Sequence, residues 1–210
     1  MFVEAIPRPV RLDLAALAEE GVTRPFYLAG GTATALHLGH RISVDLDFFG
    51  PAHFDVRSLA ERLGSLGDFR LERWEQDTLL GELEGVRVSF FRYPYPVVDA
   101  TVQVLGTTVL GLGDLAAMKL EAIGQRGARR DFIDLYFICQ AGGMGLSGAL
   151  EWYRRKFAGL DVNLVHIVKS LGYFADAEAD AMPEMLKPVS WEEIRGFFER
   201  ESPRLFRELE

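Results

Sequence analysis

Apolar residues change their spacing along this chain, and the change falls near residue 113. Before it, short strand-like runs alternate with helical ones. Phe26 to Ala29 is a brief apolar run ending at Gly30-Gly31, and Thr32 to Leu38 has the Ala and Leu content of a helix that follows it. Ser43 to Phe49 reads as a second strand and Val56 to Leu66 as a helix. Phe69 to Trp74, Leu79 to Leu83 and Val86 to Arg92 read as a meander with Gly85 in its last tight turn. After Gly113 the period becomes helical. Leu115, Met118 and Ala122 stand at i, i+3, i+7 behind Asp114, a predicted N-cap, and Phe132, Leu135, Tyr136 and Cys139 repeat that spacing. The glycine-rich stretch Ala141 to Gly148 breaks it. Ala149 to Phe157, Asn163 to Phe174 and Trp191 to Arg200 read as further helices, with Pro203 expected to interrupt or restart the last one. The layout predicts an α+β fold: a small mixed sheet with flanking helices over 1–113, and a helical part over 114–210 packed on it.

Composition narrows the class. With 49% apolar and 26% charged residues in 210, the chain can build a real core, which excludes wholesale disorder and disulfide scaffolds. The 31 acids against 23 Lys and Arg leave −8, so the whole surface is not a nucleic-acid footprint. Local basic patches remain. Arg126, Arg129 and Arg130 crowd a helix start that also carries Asp131 and Asp134; an Arg130–Asp134 pair on the helix surface is expected, the alternative being arginines that steer phosphate or RNA. Arg154-Arg155-Lys156 is expected to be a solvated helix face. Cys139 reads as a buried structural thiol. His37 and His40 lack a third partner at metal spacing and are expected in structural roles. Tyr93-Pro94-Tyr95-Pro96 reads as an extended connector with buried rings rather than a base-stacking surface. No uncharged run reaches the roughly 18 residues of a membrane span and the N-terminus has no signal-peptide pattern, so a cytoplasmic protein is expected.

Candidate chemistry centres on Asp45-Leu46-Asp47. On a strand the two carboxylates share one face and Leu46 and Phe48 the other. Carboxylates roughly 7 Å apart repel by about 2.4 kcal/mol at an effective dielectric near 20, a cost that a bound divalent cation reverses. Just upstream, Gly30-Gly31-Thr32 opens a helix whose backbone N–H groups face phosphate without Cβ obstruction.

In combination these segments carry a resemblance. Tyr-Leu-Ala-Gly-Gly-Thr-Ala-Thr-Ala-Leu-His-Leu (27–38), Arg-Ile-Ser-Val-Asp-Leu-Asp-Phe-Phe (41–49), the Lys-Leu-Glu-Ala-Ile that starts at Lys119, and Arg-Arg-Asp-Phe-Ile-Asp-Leu-Tyr around Asp131 resemble the AbiEii/AbiGii-type nucleotidyltransferases of the DNA polymerase β-like superfamily. The resemblance runs from about Phe26 to Ile138. It implies a nucleotidyltransferase core, a magnesium- or manganese-bound nucleoside triphosphate, and transfer of a nucleotidyl group to an acceptor, either RNA (tRNA included) or protein. It also implies a toxin with an antitoxin protein as partner. Carried over by motif, Gly30, Gly31, Thr32, Arg41, Ser43 and Lys119 bind the nucleotide and Asp45 and Asp47 the metal. Asp45, Asp47, Lys119 and Asp131 form the catalytic set. The superfamily pattern has a third carboxylate on a neighbouring strand, where this chain has Ser89; Glu82, Glu84, Asp99 or Asp131 are the acids that can substitute. The alternative function is therefore a catalytically degenerate nucleotide- or protein-binding module. Haloacid-dehalogenase-like phosphatases also use Asp-x-Asp, but the flanks His40 to Val44 and Phe48 do not fit that motif.

Overall fold

Strands β1 (Tyr27–Leu28), β2 (Leu46–Gly50), β3 (Phe69–Glu75), β4 (Thr78–Leu83), β5 (Val86–Arg92), β6 (Val102–Val104) and β7 (Thr107–Val109) form one mixed sheet in the order β3-β4-β5-β2-β1-β7-β6. The computed structural model describes residues 1–209. Period-2 alternation decides the two faces: Leu46 and Phe48, Leu79 and Leu83, and Val86, Val88 and Phe90 are buried, and the Phe48 and Phe90 rings stack at 4.9 Å. Each such side chain contributes about 1.5–3 kcal/mol by leaving water. β2 pairs parallel with β5 and antiparallel with β1. That parallel pair sets Asp47 directly beside Ser89 on the opposite face.

The helices are α1 (Arg8–Glu19), α2 (Gly30–Leu38), α3 (Val56–Gly64), α4 (Leu112–Gln125), α5 (Arg129–Gln140), α6 (Gly145–Lys156), α7 (Leu164–Ser170), α8 (Ala175–Ala179) and α9 (Trp191–Arg207). The α+β expectation holds, with most predicted elements found within a few residues of their bounds. A single apolar cluster links Leu14, Leu28 and Phe90 to Leu120, Phe132 and Phe198. Cys139 is buried as expected, and burial pushes its thiol up to about 12. The Tyr93 and Tyr95 rings meet edge to face at 4.6 Å, and Tyr95 packs on Phe157. Among the described residues no helix is long and apolar enough to cross a membrane.

Several local expectations are corrected. Helix α4 begins at Leu112 behind Gly111, so Asp114 is not its cap. Its carboxylate is buried, accepting the N–H groups of Val98 and Asp99 at 3.0 and 2.8 Å and the Lys156 ammonium at 2.5 Å; Asp99 takes the Gly113 N–H instead. Lys156 is accordingly fully buried rather than part of a solvated face, and it also donates to the Pro96 carbonyl at 2.9 Å. Strand β2 starts at Leu46, not Ser43. Residues 43–45 form a loop because their backbone is engaged elsewhere, with the Ser43 N–H donating to the Ala5 carbonyl. Pro203 neither stops nor restarts α9. It lies on the exposed side while Phe198, Ser202 and Leu205 bury theirs, so the missing N–H costs one solvent-facing bond and packing carries the helix on.

A strap from the C-terminal part closes over the loop that follows α2. The Ile42 N–H donates to the Glu184 carbonyl, Leu186 and Lys187 both donate to the His40 carbonyl, and Arg41 bridges Met185.

Candidate active site

A cleft of about 620 Å³ opens where the N-terminus of α2, the 41–45 loop, β2, β5 and α4 converge. Gly30, Gly31, Arg41, Ser43, Asp45, Asp47, Ser89 and Lys119 all line it, so most of the residues singled out in the sequence meet here. Gly30 is necessary at its position, with φ +66 and a hypothetical Cβ only 2.8 Å from Asp47 Oδ2. At Gly31 a Cβ would collide with the Arg41 guanidinium and crowd Ser43 Oγ at 3.3 Å. The glycine pair thus admits side chains of the neighbouring loop as well as leaving the first turn of α2 open. Thr32 does not line the cleft. Its buried hydroxyl reaches Ser43 Oγ at 2.9 Å and the Asp45 carbonyl, bracing the loop that carries the acids.

Asp47 is partly buried on the cleft floor, and Asp45 lies at its rim 3.7 Å from Arg130. No ion pair to Asp47 occurs among the described residues. Burial, reinforced by the charge of Asp45, raises the Asp47 carboxyl above the ordinary range despite Lys119 nearby and a hydrogen bond from Ser89. The other acids proposed for the third position are engaged elsewhere. Glu82 pairs with Arg70, Glu84 accepts the Asp68 N–H, Asp99 accepts the Gly113 N–H, and Asp131 is held by Lys119 and Arg126.

Beneath the cleft is a buried ionic network. Asp134 is fully buried and accepts from His40 Nε2 at 2.8 Å, from Arg41 Nε and Nη2 at 2.7 and 2.9 Å, and from Lys119 Nζ at 2.6 Å. Asp131 accepts from Lys119 at 2.9 Å and from Arg126 Nε and Nη2 at 2.9 and 3.1 Å. Burial alone would raise both carboxyls, yet Lys119 with Arg41 and His40 holds Asp134 well below its usual value, and Lys119 with Arg126 lowers Asp131. Burial lowers His40 against the pull of Asp134, and its Nε2 faces the carboxylate as donor. The expected Arg130–Asp134 surface pair does not form: Asp134 points inward, and Arg130 is half-exposed beside Asp45. Lys119 does not snorkel to solvent. Two of its three N–H groups serve the two aspartates and the side chain still lines the cleft.

The family model for the nucleotidyl transferase AbiEii toxin of type IV toxin–antitoxin systems matches residues 12–209. The chain belongs to the AbiEii family. Protein aq_aa25 of Aquifex aeolicus (strain VF5), uncharacterized, is 39% identical over 184 residues, which span 86% of this chain and 87% of that one. Two solved Helicobacter pylori structures share the fold. A candidate nucleotidyltransferase superposes with TM-score 0.56 at 16% identity over 97% of both chains, and JHP933 with TM-score 0.55 at 17% identity over 95% of this chain and 90% of its own. A nucleotidyltransferase fold and family therefore stand behind the cleft.

For this AbiEii protein, the donor set fits a hard divalent cation. Two carboxylates face one cleft, one of them without a cationic partner, and Ser89 adds a neutral oxygen. Among the described residues no group of three or more His, Cys, Asp or Glu side chains is arranged to hold a metal. Sequence reasoning missed Asp134 and His40 as members of this assembly, and Pro183 and Glu184 of the strap as part of the cleft wall. The one available signal was Asp134 at i+3 from Asp131, which puts both on one helix face.

Proposed function

We propose that this AbiEii protein is a magnesium-dependent nucleotidyltransferase that moves a nucleotidyl group from a nucleoside triphosphate to an RNA acceptor, as the cytoplasmic toxin of a pair whose antitoxin is a protein. The observation that carries the reading is Asp47: a partly buried carboxylate with no ion pair among the described residues, next to Asp45 and beneath a helix start cleared by Gly30. Asp45 and Asp47 would hold the metal, which supplies positive charge to the phosphates where negative charge builds during transfer. The N–H groups at the start of α2 orient the triphosphate, and Arg41 and Ser43 fix the loop that faces it. Lys119, held by Asp131 and Asp134, presents its remaining N–H to the phosphoryl oxygens. In the transfer the acceptor hydroxyl oxygen bonds to the α-phosphorus, the bond to pyrophosphate breaks, and the hydroxyl proton is released. Arg126 and Arg130, both more than half-exposed at the cleft, supply the positive rim for a polyanionic acceptor.

Calorimetric titration of each nucleoside triphosphate, with and without magnesium, tests the site. Binding is expected in wild type with magnesium and lost in Asp45→Asn/Asp47→Asn; a variant that binds as wild type sinks the assignment. Labelled triphosphate incubated with total RNA then reads transfer, and label appearing only in protein would move the acceptor assignment from RNA to protein. Ser89 favours a second reading, a module that binds nucleotide without efficient transfer. Ser89→Asp separates the two: a raised transfer rate means that the serine limits catalysis, and an unchanged rate means that the site is complete without an acid there.

A further inference from the structure

Beside the cleft lies a second cavity of about 370 Å³, and Gly30, Asp47, Phe91, Lys119 and Arg126 line both. Its chemistry is different. On the strand side Phe49 and Phe91 stack at 5.2 Å, and Tyr93 meets Phe49 edge to face at 5.4 Å. On the helix side α4 contributes Met118 and Ala122. Polar groups return at Glu121 and Gln125, one turn apart on α4. Gln125 Nε2 donates to Glu121 Oε1 at 2.8 Å and the Tyr153 hydroxyl donates to Glu121 Oε2 at 2.6 Å, so the carboxylate is fixed in place with lone pairs to spare on both oxygens. Flat apolar walls, one oriented polar edge and a mouth shared with the phosphate-binding residues describe a receptor for a planar, hydrogen-bonding ring.

We propose that this cavity receives the base of the donor nucleotide and that Glu121 selects a base bearing an exocyclic amino group. The inference rests on the nucleotidyltransferase reading and names the substrate class that reading leaves open. An ionised carboxylate only accepts hydrogen bonds, so it rewards the N–H donors of adenine, cytosine or guanine. Uracil offers one donor, N3–H, flanked by carbonyl oxygens on both sides, so a carboxylate that accepts from it meets an acceptor beside it and lacks the amino donor.

Titration of the full chain in magnesium with ATP, CTP, GTP, UTP and inorganic tripolyphosphate tests it. At least one amino-bearing triphosphate should bind about tenfold or more tighter than both UTP and tripolyphosphate. Glu121→Gln should reduce that preference about tenfold while leaving tripolyphosphate affinity unchanged, and Phe49→Ala, at a residue that lines the second cavity and not the first, should weaken every nucleotide but spare tripolyphosphate. UTP binding as tightly as the best of the others in wild type, a comparison that needs no variant to fold, overturns the proposal, as does an unaltered ranking in a folded Glu121→Gln. Tripolyphosphate bound as tightly as the nucleotides overturns the base receptor alone. No binding of any probe overturns the nucleotidyltransferase reading and this inference with it.

Discussion

Asp47 and Asp134 have acidities shifted in opposite directions, although the more deeply buried of the two is the stronger acid. Asp134 has no exposure at all, yet His40, Arg41 and Lys119 converge on it and hold its carboxyl well below the ordinary range. Asp47 still faces a cleft, and burial together with the neighbouring Asp45 raises it. Partners, more than depth, set the sign. The chain spends Arg41 and Lys119 on the helix beneath the cleft and leaves Asp47 without an ion pair, the arrangement expected where a ligand is to supply charge.

The largest test of that contrast removes the well-partnered acid. Asp134→Ala strands Arg41 and Lys119 in the interior, and urea or thermal unfolding should show a loss of about 3–5 kcal/mol or an unfolded chain. A loss under about 1 kcal/mol would mean that the network is readily rehydrated. Asp47→Asn should do the reverse to the ligand-free protein. Removing a disfavoured charge is expected to raise stability by about 1 kcal/mol, or about 2–4 °C in melting temperature, while magnesium-dependent nucleotide binding disappears. A lower melting temperature would show that Asp47 has a structural partner after all.

The pH dependence sharpens the same comparison. Asp131 and Asp134 have depressed folded values, so their contribution is present above the ordinary carboxylate pKa of about 4 and is lost as pH falls through the folded ones. His40, also depressed, contributes fully above about 6.5 and loses its contribution as pH falls through its lower folded value. Asp47 runs the other way, favouring the fold at low pH and losing that contribution as pH rises through its raised value. Asp13 behaves like Asp47 without any site to explain it: buried on α1 with one oxygen unpartnered, it is pushed up to about 6, chiefly by burial and then by Glu84. Asp13→Asn should therefore leave melting at pH 4 unchanged and raise it by about 2 °C or less at pH 8. An equal shift at both pH values would assign the gain to packing rather than charge.

Sequence made the candidate cleft legible because its parts are near in sequence. The glycine turn, the 41–45 loop and Asp45-Leu46-Asp47 span fewer than twenty residues, and the short spacing keeps Asp45, on the loop, beside Asp47, on β2, at one cleft. Asp134 was illegible for the converse reason, since two of its three partners lie more than ninety residues away and a heptad-like pattern cannot distinguish a charge on the helix surface from one facing another cation. Lys156 failed in the same way, its partner Asp114 belonging to a different helix. The helices themselves were visible, as were the meander strands, because apolar spacing is a local signal. Their ends were less so, as Asp114 and Pro203 show, because capping partners and surface exposure come from the rest of the fold.

The strap that closes on His40 and Ile42 has a consequence for the birth of the molecule. Glu184 and Leu186 are synthesised about 140 residues after the loop they clasp, on the order of ten seconds later at ordinary ribosomal speeds. Until they emerge from the exit tunnel, the nascent chain carries its glycine turn and paired acids without one wall of the cleft. The cleft thus gains its last wall only after that delay, well after its glycine turn and paired acids have been made.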